Sequence, residues 1–166
     1  AMMTKKHPTL KDAFITVFDE FNVPPQDDIL EQLVGMWNKN WMLAYPYEDT
    51  ETVLKKLKEQ YTLILICNAN NFSVEKVLEK FSLTQYFDKI YLSYQTHLIK
   101  TDKKFLKLIL DENSLAPEDC VLVGDSIQSD MAAAEKVGIK SILIDRRNNR
   151  DFTPKIRTLT ELEAEL

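Results

Sequence analysis

Short, uninterrupted apolar runs after Tyr61 constrain the fold more than any other feature of this sequence. A continuous apolar run of this length is typical of a strand buried on both faces of a parallel sheet. The segments between the runs carry apolar residues at the three- and four-residue spacing of helices. Alternating strands and helices indicate a doubly wound, Rossmann-like α/β fold with a parallel sheet. The predicted strands end at Cys67, Ser93, Gly124 and Asp145.

The part of the chain before Tyr61 is predicted to be helical. Over residues 10–21, apolar side chains recur every three or four positions, which is the pattern of an amphipathic helix. Two consecutive prolines end that helix, and a second apolar stripe runs to about Trp41. We therefore expect a helical cap region at 9–47 and an α/β core at 48–166.

Rare residue types exclude several kinds of site. The 166 residues include only three glycines, which rules out both a P-loop and a GxGxxG dinucleotide fingerprint. Two histidines and two cysteines argue against a zinc cluster and against a disulfide framework. A metal site built from carboxylates remains, and oxygen ligands of this kind favour Mg²⁺.

Charge and hydropathy narrow the partners and the location. The net charge is −5 and the basic residues are scattered, which argues against a nucleic-acid-binding module. No apolar run approaches the roughly 18 to 20 residues that a membrane helix needs, so we expect no membrane partner. An apolar signal-peptide stretch is also missing near the start, and the cytoplasm is therefore the expected location.

Polar residues follow the predicted strands. Cys67 and Asn68 come after the first strand, and Asp125 and then Asp130 come after the third, in the segment GDSIQSD. Lys100 stands just ahead of a predicted helix. Singly, each is as consistent with a turn or a solvated surface as with a site. Ligands of such sheets bind beyond the carboxyl ends of the strands, so we expect Lys100, Asp125 and Asp130 to converge there, near Cys67 and Asn68.

These segments together resemble the haloacid dehalogenase superfamily of phosphohydrolases. The resemblance rests on the strand ending at Cys67-Asn68, the K-x-D-x-x-F pattern at Lys100, and the VGDS segment with Asp130 five residues after Asp125. It implies a Mg²⁺-dependent phosphohydrolase of small phosphorylated metabolites, with a small helical cap. By resemblance, Lys100 is catalytic and neutralises the phosphate, while Asp125 and Asp130 hold Mg²⁺.

Two positions depart from the family pattern. The phosphoryl-binding Ser or Thr of the family is Cys67 here, and a thiol is a weak donor, which leaves the backbone amides at Asn68 and Ala69 as phosphoryl donors. The first family motif, DxDx(T/V), supplies the nucleophile and the general acid/base, and no counterpart precedes residue 10. Asp19, the nearest likeness, lies on the predicted first helix. We therefore expect the chain as given to be inactive.

The absent motif leaves several explanations open. The sequence starts after the motif, or catalysis was lost naturally, or another chain supplies the strand. The corresponding functions are a phosphohydrolase, a non-catalytic binding or regulatory protein, and one half of a split enzyme. In the family the absent strand is central, and unpaired buried backbone groups are costly. We therefore expect direct pairing of segments 63–66 and 121–123, or a segment from a homodimer or a strand-donating partner.

Overall fold

The computed structural model describes residues 2–166, which divide into two compact units. The first unit comprises the residues up to Tyr47 together with Gln60–His97, and the second comprises Glu48–Glu59 together with Leu98–Leu166. The α-helices, in chain order, are α1 (Leu10–Glu20), α2 (Asp27–Met42), α3 (Thr50–Lys58), α4 (Val74–Lys80), α5 (Ser93–Thr96), α6 (Lys103–Asn113) and α7 (Ala132–Glu135). The strands are β1 (Ile64–Cys67), β2 (Lys89–Leu92), β3 (Val121–Gly124), β4 (Lys140–Ile144) and β5 (Lys155–Ile156).

In the first unit, β1 and β2 form a two-stranded parallel sheet. Thr9 caps the start of α1 in a capping box. The Thr9 hydroxyl accepts a hydrogen bond from the Asp12 amide, and the Asp12 carboxylate accepts one from the Thr9 amide. The apolar face of α1 packs against Leu30 of α2, with Ala13 and Phe14 buried. Each fully buried large side chain of this kind contributes about 1.5–3 kcal/mol, so packing rather than helix propensity holds α1 in place.

The segment before α1 is hydrogen-bonded to residues that follow β1 and β2 in the first unit. The hydroxyl of Ser93, which follows β2, donates a hydrogen bond to the Met3 carbonyl at 2.5 Å. The same hydroxyl accepts a hydrogen bond from the Ala69 amide at 2.9 Å. His7 exchanges two hydrogen bonds with the Asn71 side chain through its backbone. Residues 2–9 therefore form turns and bends that are anchored by side chains of the loops after β1 and β2.

In the second unit, β3, β4 and β5 form a parallel sheet in that order. Val121 to Gly124 pair with Lys140 to Leu143, and the end of β4 pairs with the short β5. The core of this unit includes Phe105 of α6 and two residues of β4, Ile142 and Leu143, which are fully buried. The parallel α/β architecture expected from the apolar runs is confirmed. None of the described helices is both long enough and apolar enough to cross a membrane.

Two of the predicted strand ends and the predicted strand pairing need correction. β1 ends at Cys67 and β3 at Gly124 as predicted, whereas β2 ends at Leu92 and β4 at Ile144, one residue earlier than expected. Direct pairing of 63–66 with 121–123 is wrong for the described residues, because β1 pairs with β2 and β3 pairs with β4. The expectation assumed strands buried on both faces. All four residues of β1 are instead half-buried, and Val121 is 36% exposed.

Candidate active site

A buried ion pair lies at the carboxyl end of β3. A π-helical turn, Ile127–Met131, follows the strand and places Asp130 back against it. The Asp130 carboxylate lies 2.5 Å from the Lys100 amine, and the side chains of the two residues are only 3% and 18% exposed. Its second oxygen accepts the Ser126 amide at 3.1 Å. A buried carboxylate requires partners of this kind, and the structure thus brings two of the predicted site residues into contact.

The glycine of the GDS segment makes room for that carboxylate. A Cβ atom at Gly124 would lie 2.5 Å from the Cβ, the Cγ and one carboxylate oxygen of Asp130. Real carbon contacts are near 3.5–4.0 Å, so only a residue without a side chain fits at the end of β3. The glycine is therefore needed for close approach and not for backbone conformation.

The turn after β3 also forms one wall of an open cleft. Its volume is about 510 Å³, and it is lined by Asp125, Ser126, Ile127, Gln128, Arg150 and Asp151. The Asp125 side chain is exposed, unlike that of Asp130. The Ser126 hydroxyl accepts the Ser129 amide at 3.2 Å, which fixes the start of the turn. A cleft of this size suits a small polar ligand.

The other lining residues, Arg150 and Asp151, belong to a loop that a buried carboxylate organises. Asp145, which follows β4 and is 3% exposed, accepts the Arg150 amide at 2.8 Å. The Lys155 amine lies 3.8 Å from the same carboxylate and donates to the Arg150 carbonyl at 2.6 Å. Burial tends to raise the pKa of Asp145, but the Arg150 amide and the charges of Lys155 and Arg150 outweigh it, so that the pKa lies below its usual value. The sequence predicted Asp145 only as the end of a strand, and no local signal pointed to its role in bracing this loop.

Arg146, which follows β4 in the loop, is engaged within the second unit. Its guanidinium donates two hydrogen bonds to Asp49, at 2.8 and 3.0 Å, and the Leu159 amide donates a third to Asp49 at 2.7 Å. Burial tends to raise the pKa of Asp49, but the Arg146 and Leu159 hydrogen bonds lower it below its usual value. Arg146 thus ties the loop after β4 to the start of α3.

Cys67 and Asn68 belong to the first unit, at the end of β1. The half-buried Cys67 thiol lies 3.7 Å from the Asn68 carbonyl. Next to them, Asn70 is buried, and its side-chain oxygen accepts the Phe72 amide at 3.0 Å. The phosphoryl contact predicted for Cys67 and Asn68 stays a prediction.

Among the described residues, the chain offers one suitable carboxylate ligand for Mg²⁺, that of Asp125. Within residues 2–166, no three His, Cys, Asp or Glu side chains group closely enough to hold a metal ion. Mg²⁺ commonly keeps several waters and binds through one or two carboxylates plus substrate phosphate oxygens. Asp125 suits such a ligand because it is exposed on the cleft, whereas Asp130 already contacts Lys100.

The family model for haloacid dehalogenase-like hydrolases matches residues 4–144. The chain belongs to this family. It is 29% identical over 119 residues to the ribulose-1,5-bisphosphate 5-phosphatase of Halopiger xanaduensis, covering 70% of this chain and 50% of that protein. It is 32% identical over 104 residues to the phosphoglycolate phosphatase of Aliivibrio fischeri, covering 61% and 45%. The chain thus spans about half the length of these curated relatives.

Solved structures show the same fold. A HAD phosphatase from Thermococcus onnurineus superposes with a TM-score of 0.71 at 24% identity, covering 89% of this chain and 67% of that chain. The putative HAD-hydrolase YfnB from Bacillus subtilis, which was crystallised bound to magnesium, superposes with a TM-score of 0.76 at 20% identity, covering 95% and 70%. The resemblance drawn from the motifs and the predicted Rossmann-like fold are both confirmed.

Proposed function

We propose that the chain binds small phosphorylated metabolites together with Mg²⁺ at the cleft beside Asp125, and that these 166 residues do not hydrolyse the bound ester by themselves. The ion pair between Lys100 and Asp130, at the end of the strand that leads into Asp125, carries the proposal. A lysine at this place supplies a compact positive charge for a phosphate group. Relatives named as phosphatases of ribulose-1,5-bisphosphate and of phosphoglycolate support the substrate class.

The residues divide the work of binding. Asp125 would hold Mg²⁺, which neutralises the developing charge on a phosphoryl group when it is bound. Asp130 acts here as a positioning residue, although the sequence predicted it as the companion metal ligand. Its carboxylate holds the Lys100 amine and accepts a hydrogen bond from the Ser126 amide. Lys100 would then present its positive charge to the phosphate.

The described carboxylates offer no counterpart of the family nucleophile. Covalent phosphoryl transfer needs a carboxylate that can attack the phosphorus. Asp130 and Asp145 are buried and already bind Lys100 and the Arg150 amide. Asp19, the nearest likeness to the first motif, is exposed within α1. Hydrolysis by this chain alone is therefore not expected.

Hydrolysis of para-nitrophenyl phosphate with Mg²⁺ tests the proposed inactivity. The rate should equal that of a buffer blank, for the chain and for its Asp125→Asn variant alike. Robust turnover that the Asp125→Asn change abolishes would show that the chain is a complete enzyme.

Calorimetric titration with inorganic phosphate and Mg²⁺ tests the proposed binding. Replacing Lys100 removes a charge-assisted contact worth about 1.5–3 kcal/mol, so Lys100→Met should weaken binding about tenfold or more. The double variant Lys100→Met/Asp130→Asn removes both charges and guards against unfolding, because no buried charge stays unpaired. Lys107→Met, an exposed change on α6, is the matched control. Absence of phosphate binding by the unmodified chain would overturn the proposal.

A split enzyme is the second candidate. β1 has β2 as its strand partner and β3 has β4, so each strand meets one neighbour among the described residues. An added strand from a homodimer or another chain would find a place on either. Sedimentation of the chain at increasing concentration detects the homodimer. The cap assignment of 9–47, the core assignment of 48–166 and a cytoplasmic location remain predictions.

A further inference from the structure

Arg150 occupies an unusual place on the cleft. It is the cationic member of the lining, which otherwise holds Asp125, Asp151 and uncharged side chains. Its backbone is held on both sides, because its amide donates to buried Asp145 and its carbonyl accepts from Lys155. The side chain is exposed, and its charge acts on the Asp145 carboxylate, although no salt bridge of its guanidinium is found within residues 2–166. The loop thus fixes the backbone while leaving the charged group on the cleft.

The other two arginines of the same loop show what this placement means. Arg146 is engaged in a two-pronged contact with Asp49, where its side chain is 21% exposed. Arg147 is exposed and lies outside the cleft lining. One arginine is therefore used to hold the loop, one faces solvent, and only Arg150 combines a braced backbone with a position on the cleft.

The chemistry of the guanidinium points to an oxyanion. Its planar fork matches the two oxygens of a carboxylate or a phosphate, and such paired hydrogen bonds are stronger than neutral ones. The cleft volume of about 510 Å³ lies within the usual 300–1,000 Å³ range of small-molecule sites. The cleft therefore has room for a ligand that reaches from Asp125 to Arg150.

We infer that Arg150 binds a second anionic group of the ligand, so that the cleft selects phosphorylated metabolites that carry a carboxylate or a second phosphate over simple phosphate monoesters. This inference rests on the proposed function, in which the first phosphate is held near Asp125 and Lys100. Asp151 opposes it, because a neighbouring carboxylate repels the same anion. Removing the Asp151 charge should strengthen binding by a few fold.

Matched ligands and matched variants test this selection by calorimetric titration with Mg²⁺. Phosphoglycolate carries a carboxylate, ethyl phosphate lacks it, and propane-1,3-diyl bisphosphate carries a second phosphate. Arg150→Gln keeps both backbone contacts of the loop and should weaken phosphoglycolate or the bisphosphate about ten- to a hundredfold, the range of a charge-assisted hydrogen-bonded pair. Ethyl phosphate should change less than about threefold, and Arg147→Gln should change no ligand. The ligand with the larger loss identifies the preferred anion.

The outcomes separate this inference from the proposed function. If the chain binds ethyl phosphate and Arg150→Gln leaves phosphoglycolate and the bisphosphate unchanged, the assignment of Arg150 is wrong and the phosphate site stands. Equal losses of affinity for all three ligands in Arg150→Gln would also overturn the inference. They would show that Arg150 acts through its general positive charge and not through contact with a second anionic group. If the unmodified chain binds none of the ligands, the proposed function fails, and the inference fails with it.

Discussion

Replacing Gly124 by alanine should strongly destabilise the second unit. The added Cβ would lie 2.5 Å from three atoms of Asp130, so that side chain must withdraw by about 1 Å to reach ordinary contact. Withdrawal lengthens the contacts to Lys100 and to the Ser126 amide, now 2.5 and 3.1 Å. Overpacking costs about 1–3 kcal/mol and a weakened charged hydrogen bond about 1.5–3 kcal/mol. We expect a total of about 3–5 kcal/mol.

Calorimetric melting measures this loss against the two other glycines as controls. For a chain of this size, 1 kcal/mol moves Tm by about 2–4 °C, so Gly124→Ala should lower Tm by roughly 6–20 °C. Gly35 is exposed in α2 with nothing within 4 Å of a new Cβ, and alanine there should stabilise by about 1 kcal/mol. Gly138 has a φ of +76°, so alanine there should cost about 1–2 kcal/mol through backbone strain.

The order of the three variants is the decisive result. Gly35→Ala should melt above the unmodified chain, Gly138→Ala slightly below it and Gly124→Ala far below. The first change lies in the first unit and the other two in the second, so separate transitions would assign each effect to its unit. A loss for Gly124→Ala no greater than that for Gly138→Ala would refute the close approach of Asp130 to β3.

Other predictions concern the ion pairs. Asp49→Asn should lower the free energy of unfolding, measured in urea, by about 2–3 kcal/mol, because its contact with Arg146 is largely buried. The Asp49 side chain is 12% exposed and the Arg146 side chain is 21% exposed. A loss below about 0.5 kcal/mol would contradict this prediction. Lys56→Ala should change stability by about 0.5 kcal/mol or less, since its pair with Glu163 is 59% and 44% exposed; a larger loss would show that exposure does not set the strength of the pair. The free energy of unfolding should also fall in acid, because the pKa values of Asp49 and Asp145 lie below their usual value in the folded chain. The stabilisation from these two carboxylates is present above about pH 4. It is lost as the pH falls through their folded-state pKa values. Urea midpoints at falling pH measure this loss, which should be smaller in Asp49→Asn; an unchanged midpoint in acid would oppose the assignment.

The sequence predicted the strands well because their signal is local. An apolar run bounded by polar residues marks a strand whatever lies elsewhere, and β1 and β3 end at the predicted Cys67 and Gly124. Lys100 and Asp130 were expected at one edge because parallel strands present their carboxyl ends together, and they are in contact. Helix α1 likewise follows from its spacing and places Asp19 outside any strand.

The features that the sequence did not predict depend on distant pairing. β5 has two residues, too few for a pattern, and exists because it pairs with the end of β4. Asp49 and Arg146 lie 97 positions apart, so no local spacing joins them. The half-burial of β1 is likewise set by packing and not by its local apolar pattern. Arg150 was missed because a charged loop is usually solvated, and only the bond from its amide to buried Asp145 distinguishes it.

On the proposed function, the charges of the cleft lining set what should accompany a phosphorylated ligand. Lys100 and Asp130 carry opposite charges that offset each other in the net charge, and Lys155 lies 3.8 Å from Asp145. The lining itself then holds two carboxylates, Asp125 and Asp151, against one guanidinium. A phosphate ester, which is doubly negative near neutral pH, is repelled by such a surface unless a cation neutralises the carboxylates. On the proposed function, Mg²⁺ and the ligand should therefore bind cooperatively, each raising the affinity of the other by the same factor.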